Sequence, residues 1–400
     1  MRDFLTKLSR LRFPYEPLVT VKISRGRLVN NLREFMKIAP TGSVAPVLKA
    51  NAYGHGLVPV ARIIEAERAA DGQERKDRIP FIVVDSFFEA VALRASKVRM
   101  PILIIGYSRP ETIARSRLRD VSFTITSLDT LKHIVNYQSS PFEFGSRRIH
   151  IHLKIDTGMH RQGIMPNELP EVSSILDINP SVILRGICSH LGDADNHDPS
   201  YTESQIISWN KIAKEMQEQY ASLEHVHISN TDGHRYVKDA TANLSRLGLG
   251  LYGLTDGGQF APTLDLKPVM SIETIITGIK KINRDDAVGY GNTFKADHEM
   301  TIATLPLGYY EGVNRRLSNN GAVLADHGHI PSAIIGRVSM NITTIDVTNI
   351  PEAKIGMPIT VISNDPLQPN SIVNIAKKCG TIAYEIAVHI QGQLKRVVTE

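Results

Sequence analysis

The clearest candidate for chemistry is a single lysine at the end of an apolar run. Lys49 comes directly after the apolar residues 43–48, at the point where a buried strand would end. A lysine amine in a partly buried pocket can give up its proton and form a Schiff base with an aldehyde. The alternative is an ordinary strand-end lysine whose amine extends into water. Position alone leaves both interpretations open.

A second group of residues could bind an anion. Asn230 and Thr231 follow the apolar run 225–228, and Gly248 follows the run 244–247. The side chains of Asn230 and Thr231 can donate hydrogen bonds, and a glycine lets backbone N–H groups come close to a phosphate. An ordinary loop of turn residues has the same composition. The sequence therefore permits a phosphate site here without requiring one.

The elements that would position these residues form a repeated pattern over the first two-thirds of the chain. Short runs rich in Val, Ile and Leu are bounded by turn residues, as buried parallel strands are. Segments with helical periodicity lie between them, for example 56–70, 87–96 and 203–222. The apolar runs are 43–48, 79–84, 100–105, 121–125, 149–155, 182–188, 225–228 and 244–247. They predict a (β/α)8 barrel, whose functional residues lie at the carboxyl ends of the strands.

Closure of such a barrel would connect the two candidate groups. The first strand of a closed barrel neighbours the eighth, so Lys49 would lie beside the phosphate site after the last two strands. A lysine next to a phosphate site is the outline of a pyridoxal-phosphate site.

The pattern changes near residue 262. Apolar, β-branched segments at 271–279, 300–307, 330–347 and 358–362 are separated by Gly, Asn and Asp turns, and a helical pattern returns only at 371–378. We therefore predict a barrel over residues 1–262 and a mostly β domain over 263–400. The first ~15 residues are expected to pack with the second domain, since chain termini are ordered when they join a sheet.

Composition excludes several other classes of protein. The chain has 400 residues, a formal net charge of +5, and basic residues that are scattered rather than clustered, so no nucleic-acid partner is expected. Two cysteines do not form a disulfide framework, which favours a reducing compartment. No segment reaches the roughly 18 apolar residues of a membrane span, and the N-terminus lacks the apolar core of a signal peptide. We expect a cytoplasmic protein without a membrane partner.

Several sequence blocks, in order along the chain, resemble those of the alanine racemase family. The most specific is VLKANAYGHG at 47–56, which resembles the family's cofactor-attachment segment nearly residue for residue. KIDTGMHRQG follows at 154–163 and RLGLGLYGL at 246–254. The further blocks are 189–190, 229–231, 288–291, 307–309, 336–340 and 381–385. The resemblance implies pyridoxal 5′-phosphate as the cofactor, alanine as the substrate and no metal ion.

Two catalytic residues are implied by this resemblance. Lys49 would carry the cofactor and, once released, act as the base on the D face of the substrate. Tyr290 would be the opposing base, reaching the cofactor from the other subunit of a homodimer with shared active sites. Racemisation needs such a pair, because one group removes the α-proton and the other delivers a proton to the opposite face.

Arg246 matches the arginine that faces the pyridine nitrogen of the cofactor. A guanidinium only donates hydrogen bonds, so that nitrogen would have to accept and stay largely unprotonated. The ring is then a weaker electron sink, which should suppress transamination. An acidic residue there would instead favour an aminotransferase or a decarboxylase.

The resemblance assigns the remaining site residues by position. Those expected to bind the cofactor are Tyr53, His190, Asn230, Thr231, Gly248, Leu249 and Tyr384, with His190 stacked on the ring. Arg161 and the backbone N–H of Met340 would bind the substrate carboxylate. Lys154 matches a lysine that is carbamylated in many relatives, and an entrance corridor would include Tyr309, Arg315 and Arg337.

Some positions depart from the family pattern. His160 stands where glycine is common, Ser339 replaces a frequent cysteine, and Asn341 replaces an aspartate. Tyr310-Glu311 replaces a smaller Ala-Asp pair. These positions lie near the substrate or its entrance, so they leave the choice of amino acid more open than the type of reaction.

Alternative functions differ in substrate or in activity. A racemase for serine or lysine could use the same two bases, and a preference among a panel of L-amino acids would reveal it. A non-catalytic cofactor-binding barrel is less favoured, because that family lacks a β domain and this chain retains one that contains Tyr290. The alanine racemase resemblance further implies that the product, D-alanine, supplies peptidoglycan synthesis in the bacterial cell wall.

Overall fold

The computed structural model describes residues 16–70, 72, 78–138, 148–254, 264–325 and 330–400. The chain divides into two compact units. One comprises Arg25–Val269, and the other combines the N-terminal residues up to Ser24 with Met270–Glu400. No helix in the described residues is long and apolar enough to cross a membrane. The expected packing of the first 15 residues lies outside the described part of the chain.

The described chain begins with a strand, β1 (Thr20–Ser24), that belongs to the second unit. The eight strands of the Arg25–Val269 unit are all parallel to their neighbours. They are β2 (Val44–Pro46), β3 (Ile82–Val84), β4 (Ile102–Ile104), β5 (Val121–Ile125), β6 (Ile149–Lys154), β7 (Val182–Cys188), β8 (His225–His227) and β9 (Ser245–Leu247).

Backbone hydrogen bonds arrange these strands in the order of a barrel. Strands β3 to β8 form one sheet in sequence order, and β2 pairs with β9. The Leu48 N–H donates to the Val83 carbonyl oxygen at 2.7 Å, which connects the β2 side to β3. The Arg246 N–H donates to the Ser229 carbonyl oxygen at 3.1 Å, which connects β9 to the end of β8. The predicted barrel is thereby confirmed.

Amphipathic helices alternate with the barrel strands. In the helix Ser200–Gln219, the side chains of Ile206, Trp209, Ile212 and Met216 recur at helical spacing and are buried. The Trp209 indole N–H donates to the Thr241 carbonyl oxygen at 2.8 Å, so its one polar atom is satisfied within the core. Among the described residues of this unit, the α-helices of six or more residues are Arg25–Ile38, Leu57–Ala70, Phe87–Ala95, Pro110–Arg115, Leu128–Gln138, Leu169–Asp177 and Ser200–Gln219.

The second unit is mostly β-sheet, as predicted. Its strands are β10 (Met270–Ile275), β11 (Gly278–Ile282), β12 (Ala287–Val288), β13 (Phe294–Lys295), β14 (Met300–Leu305), β15 (Ala322–Ala325), β16 (Ile330–Ala333), β17 (Thr343–Asp346), β18 (Pro358–Ile362) and β19 (Lys395–Thr399). A six-stranded sheet has the order β16-β15-β18-β10-β1-β19, a second sheet has the order β11-β14-β17, and β12 pairs with β13. Helices cover Ile372–Cys379 and Ala383–Val388.

The segment predicted as one long strand at 330–347 is interrupted. Strands β16 and β17 occupy its two ends, and residues 334–342 between them form no strand, apart from a single bridge of Ile334 with Ile345. Gly336 has a φ of +70°, and a methyl group there would lie 2.6 Å from the Val288 carbonyl oxygen. Only glycine combines that backbone conformation with that close approach. The interruption contains Arg337, Ser339 and Met340.

Candidate active site

The predicted site residues of the barrel unit lie at the carboxyl ends of its strands. Lys154 is the last residue of β6, and His190 follows the end of β7. Thr231 follows β8, and Gly248 comes directly after β9. Lys49, half-buried, comes three residues after the end of β2. This end of a parallel barrel is where loops place catalytic groups.

A left-handed turn follows Lys49, and the sequence analysis did not foresee it. Residues 50–53 have φ values of 53°, 57°, 53° and 50°, and Gly54 follows at 79°. Left-handed backbone costs roughly 1–2 kcal/mol for each non-glycine residue. The turn is held by the Asn51 side chain, whose Oδ1 accepts a hydrogen bond from the Leu57 N–H at 2.9 Å. Such strain at a lysine is a feature of functional sites.

Glu89 holds the same turn from the neighbouring helix. Its carboxylate accepts hydrogen bonds from the backbone N–H groups of Asn51 at 3.2 Å and of Asp85 at 2.8 Å. Glu89 also completes a capping box with Ser86 at the start of the helix Phe87–Ala95. Sequence reasoning missed this residue, although Ser-x-x-Glu before an apolar run is a recognisable helix-start signal.

Two hydroxyl groups face the backbone of Gly248. A methyl group at Gly248 would lie 2.9 Å from the Tyr53 hydroxyl oxygen and 3.7 Å from Thr231 Oγ1. Burial raises the pKa of Tyr53 to about 12, so its phenol keeps its proton and can donate. The hydroxyl groups of Tyr53 and Thr231 and the backbone of Gly248 and Leu249 together form a site that suits a phosphate group. We call this site the Gly248 cradle.

Asn230 is engaged in the turn that precedes this cradle. Its Oδ1 accepts a hydrogen bond from the Gly233 N–H at 2.8 Å, and its carbonyl oxygen lies 2.9 Å from His234 Nδ1. In this arrangement the Asn230 side chain shapes the loop that presents Thr231.

Arg246 is buried in β9 and is held by both terminal nitrogens. Its Nη1 lies 2.6 Å from His227 Nδ1, and its Nη2 lies 2.8 Å from the Ser189 carbonyl oxygen and 3.2 Å from His190 Nδ1. Nη2 also donates to the Ile228 carbonyl oxygen at 2.9 Å. No group in the described residues accepts a hydrogen bond from its Nε–H. One donor of a fixed guanidinium is therefore left for an acceptor such as a ring nitrogen.

Neutral imidazole is favoured at His190. Burial, reinforced by the positive charge of Arg246, holds the pKa of His190 well below its ordinary value. An uncharged ring lies more readily against an aromatic cofactor, because it does not lose the hydration of a cation.

Lys154 and Arg161 occupy the rim at the end of β6. Lys154 is 8% exposed, and burial lowers its pKa to about 8, helped by the positive charges of Arg246 and Arg161. Arg161 is exposed. His160 adopts a φ of +53°, a conformation that glycine reaches without strain, which fits its replacement of a glycine. The Asp156 carboxylate holds it by accepting a hydrogen bond from the His160 N–H at 3.1 Å.

The second unit brings its own predicted residues together on one face. Tyr290 lies between two glycines of positive φ and is 71% exposed. A methyl group at Gly291 would lie 3.1 Å from Arg337 Nη1, so the tyrosine turn borders Arg337. The Tyr309 N–H donates to the Ser339 carbonyl oxygen at 3.0 Å, next to the exposed Met340.

A cleft of about 380 Å³ lies beside these residues in the second unit. Tyr309 and Arg315, both predicted for an entrance corridor, line it together with Ile386 and residues 388–392. Tyr384 is half-buried on the helix Ala383–Val388 that borders the same cleft.

Two of the departures from the family pattern are paired in space. Asn341 Nδ2 donates to Glu311 Oε1 at 2.6 Å, and Glu311 Oε2 accepts from the Gly308 N–H at 2.7 Å. Glu311 thus connects the turn before Tyr309 to the residue after Met340. An amide at 341 suits a carboxylate at 311, because two carboxylates at that distance would repel.

We expect Asn341→Asp to destabilise the protein in a pH-dependent way. Near neutral pH the variant brings two carboxylates together and loses a charge-assisted hydrogen bond, which should cost about 1 kcal/mol of unfolding free energy. The loss should disappear as the pH falls through the range in which carboxylates take up protons. Thermal unfolding between pH 4 and 8 measures it, with Asn341→Ala as the uncharged control. Equal melting temperatures for the two variants at all pH values would refute the repulsion.

Comparisons with known proteins match both units of the chain to one family. The family model of the alanine racemase N-terminal domain matches residues 23–256, and that of the C-terminal domain matches residues 269–398. The chain is 32% identical over 383 residues to the alanine racemase of Methanococcus maripaludis, which covers 95% of this chain and 98% of the relative. It is 34% identical over 394 residues to that of Sorangium cellulosum, with 95% and 98% covered. The crystal structure of the Bacillus anthracis alanine racemase with bound L-Ala-P superposes with a TM-score of 0.84 at 28% identity, covering 97% of this chain and 96% of that chain.

Proposed function

The chain belongs to the alanine racemase family, and on that basis we propose that it interconverts L-alanine and D-alanine with pyridoxal 5′-phosphate as its cofactor. The observation that carries the proposal is the convergence at one end of the barrel unit of the Lys49 turn, the Gly248 cradle and the buried Arg246. A lysine, a phosphate site and a fixed cation are what an aldehyde-phosphate cofactor requires.

The described residues fit this cofactor group by group. Lys49 would hold it covalently, and Tyr53, Thr231 and the Gly248–Leu249 backbone would bind its phosphate. Arg246 Nε–H would donate to its ring nitrogen, and His190 would lie against the ring. When bound, the cofactor supplies an electron-withdrawing system that acidifies the α-carbon of an amino acid.

Two residues would move the α-proton. We assign the D-side base to Lys49 and the L-side base to Tyr290, as the family resemblance implies. Tyr290 is 71% exposed and is carried by the second unit, a placement that suits a residue presented to another subunit. The proposal therefore includes a homodimer with shared active sites.

Arg246 would limit the reaction to proton transfer at the α-carbon. Its guanidinium keeps its protons and only donates hydrogen bonds, so the ring nitrogen of a bound cofactor would remain unprotonated and the ring would withdraw electrons more weakly. A weaker electron sink favours return of the proton to the α-carbon over its transfer to another atom, which transamination requires. Racemisation is then favoured over transamination.

Turnover of L-alanine by the purified protein tests the proposal. With pyridoxal 5′-phosphate present, we expect D-alanine to accumulate until the two enantiomers are equal. A panel containing L-serine and L-lysine should react more slowly, with lower kcat/KM. A clear preference for another amino acid would overturn the substrate, and no racemisation of any would overturn the function.

Carbamylation of Lys154 is a further expected result. A pKa of about 8, set mainly by burial, leaves much of the amine uncharged in mildly alkaline solution. CO2 then forms an N–C bond with the amine while one amine proton is released, which places a carboxylate in reach of Arg161. NMR with 13C-bicarbonate should show one protein-bound carbamate carbon that Lys154→Gln removes. An unmodified amine in the wild-type protein would contradict the assignment.

The biological setting is proposed from the family and the sequence. A supply of D-alanine for peptidoglycan would be the role of the product. Both cysteines, Cys188 and Cys379, are free and buried, which fits the cytoplasmic location predicted from the sequence.

A further inference from the structure

Two buried histidines continue inward from Arg246 through the barrel. His227, the last residue of β8, lies with its Nδ1 2.6 Å from Arg246 Nη1. Its other ring nitrogen, Nε2, lies 3.1 Å from Nδ1 of His152 on β6. Arg246, His227 and His152 are 7%, 0% and 1% exposed. We call these three residues the barrel relay.

The chemistry of the first member sets the direction of every hydrogen bond in the relay. A guanidinium only donates, so His227 Nδ1 must accept and a neutral His227 carries its proton on Nε2. That Nε2–H then donates to His152 Nδ1. His152, if neutral, therefore carries its own proton on Nε2. One arrangement of protons satisfies both hydrogen bonds of the relay.

The surroundings of both histidines favour the neutral forms that this arrangement needs. Burial holds the pKa values of His152 and His227 well below their ordinary value. The charged and titratable groups near them add to the effect: Arg246 on one side, and Arg185 and His225 on the other. Phe81 covers His152 with an edge-on contact, at 5.5 Å between ring centres.

The relay ends at a cavity on the far side of the barrel from the candidate site. This cavity, of about 510 Å³, is lined by His152, Phe81, Arg185 and His225, together with residues at the amino-terminal ends of β4 and β5. His225 stacks on His152 at 5.6 Å between ring centres but has no hydrogen bond to the relay among the described residues. His152 is thus the outermost member of the relay, where the barrel interior meets the cavity.

We propose that His152 is a positioning residue that fixes His227 in the form that accepts from Arg246, and so keeps the Arg246 Nε–H directed to the cofactor. This inference rests on the proposed function only for its effect on turnover. Without an acceptor at position 152, the buried Nε2–H of His227 would have no partner. In the other tautomer of His227, the proton on Nδ1 would face an N–H donor of the Arg246 guanidinium. Arg246 would then lose one of its fixed contacts.

Nitrogen-15 NMR of histidine-labelled protein tests the proton arrangement itself. We expect both His227 and His152 to be neutral with the proton on Nε2 from pH 6 to 9. This readout does not depend on the substrate, so it stands even if the activity is not racemisation. A proton on Nδ1 of His227, or a charged His227 in this range, would overturn the proposal.

Variants at position 152 test the consequence for the site. His152→Leu should move the proton of His227 and lower kcat by about tenfold, the equivalent of one buried hydrogen bond, with less effect on KM. His152→Asn should keep the proton of His227 on Nε2 and keep kcat near the wild-type value, because the amide oxygen of asparagine can replace His152 Nδ1 as the acceptor. His225→Leu removes the ring stacked on His152 but none of the hydrogen bonds of the relay, and it is the matched control for packing. If His152→Leu does not fold, His152→Asn and the wild-type spectrum still decide the question. If kcat falls equally in His152→Asn and His152→Leu, or falls as much in His225→Leu, the effect comes from packing alone and the proposal is overturned.

Discussion

Replacing Lys49 by alanine is expected to abolish both the visible absorbance of the bound cofactor and alanine turnover. We propose this amine both as the only covalent attachment of the cofactor and as the D-side base. Loss of one proton-transferring group lowers rates by about 10²–10⁴-fold, and loss of attachment adds to that. Absorbance spectroscopy and a coupled D-alanine assay measure the two effects separately.

The control for this prediction is another lysine of the barrel unit. Lys97 is exposed and has a positive φ of 65°, so Lys97→Ala tests whether removal of a lysine near left-handed backbone disturbs the unit. We expect it to keep the absorbance and the activity. A Lys49→Ala protein that still forms a borohydride-reducible bond to the cofactor would place the attachment elsewhere.

Tyr290→Phe is expected to keep the cofactor and lose most of the activity. The change removes one hydroxyl oxygen from a side chain that is 71% exposed, so stability should change by no more than about 0.5 kcal/mol. Turnover should fall by about 10²–10⁴-fold, because the L face loses its base. In D2O, exchange of the α-proton should persist from D-alanine and nearly vanish from L-alanine.

Two controls accompany this prediction. Tyr310→Phe removes the hydroxyl of another exposed tyrosine of the second unit, which accepts a hydrogen bond from Gln393 at 2.9 Å, and should leave exchange from both enantiomers intact. Mixing and refolding Lys49→Ala with Tyr290→Phe should restore about a quarter of the wild-type activity if each site takes one base from each subunit of a dimer. Absence of recovery would place both bases in one chain. Equal exchange from both enantiomers in Tyr290→Phe would remove its role as the L-side base.

Much of the fold could be predicted because its signals are local. Strands β5 and β7 begin and end where the apolar runs 121–125 and 182–188 do. Buried parallel strands need apolar side chains on both faces, so each appears as a continuous run with turn residues at its ends. The other barrel strands were predicted one to three residues too long at one or both ends, because apolar residues also line the loops that leave the barrel.

Where the prediction failed, distant parts of the chain decide the structure. Strand β1 at Thr20–Ser24 lies between β10 and β19, and its partners begin about 250 and 375 residues further along the chain. Nothing in a five-residue run identifies such partners. The same holds for the break at 334–342, where the Val288 carbonyl oxygen approaches Gly336.

The sequence by itself predicted the candidate reactive groups. Lys49 and Gly248 became candidates because few residue types can attach an aldehyde or let backbone N–H groups approach an anion, and Tyr290 and Arg246 were predicted from the family resemblance. Only the tertiary structure decided how those groups are held. The left-handed turn supported by Glu89, the pairing of Glu311 with Asn341, and the relay from Arg246 to His152 each join segments far apart in sequence. Their energies come from hydrogen-bond geometry and burial, which exist only once the chain has folded.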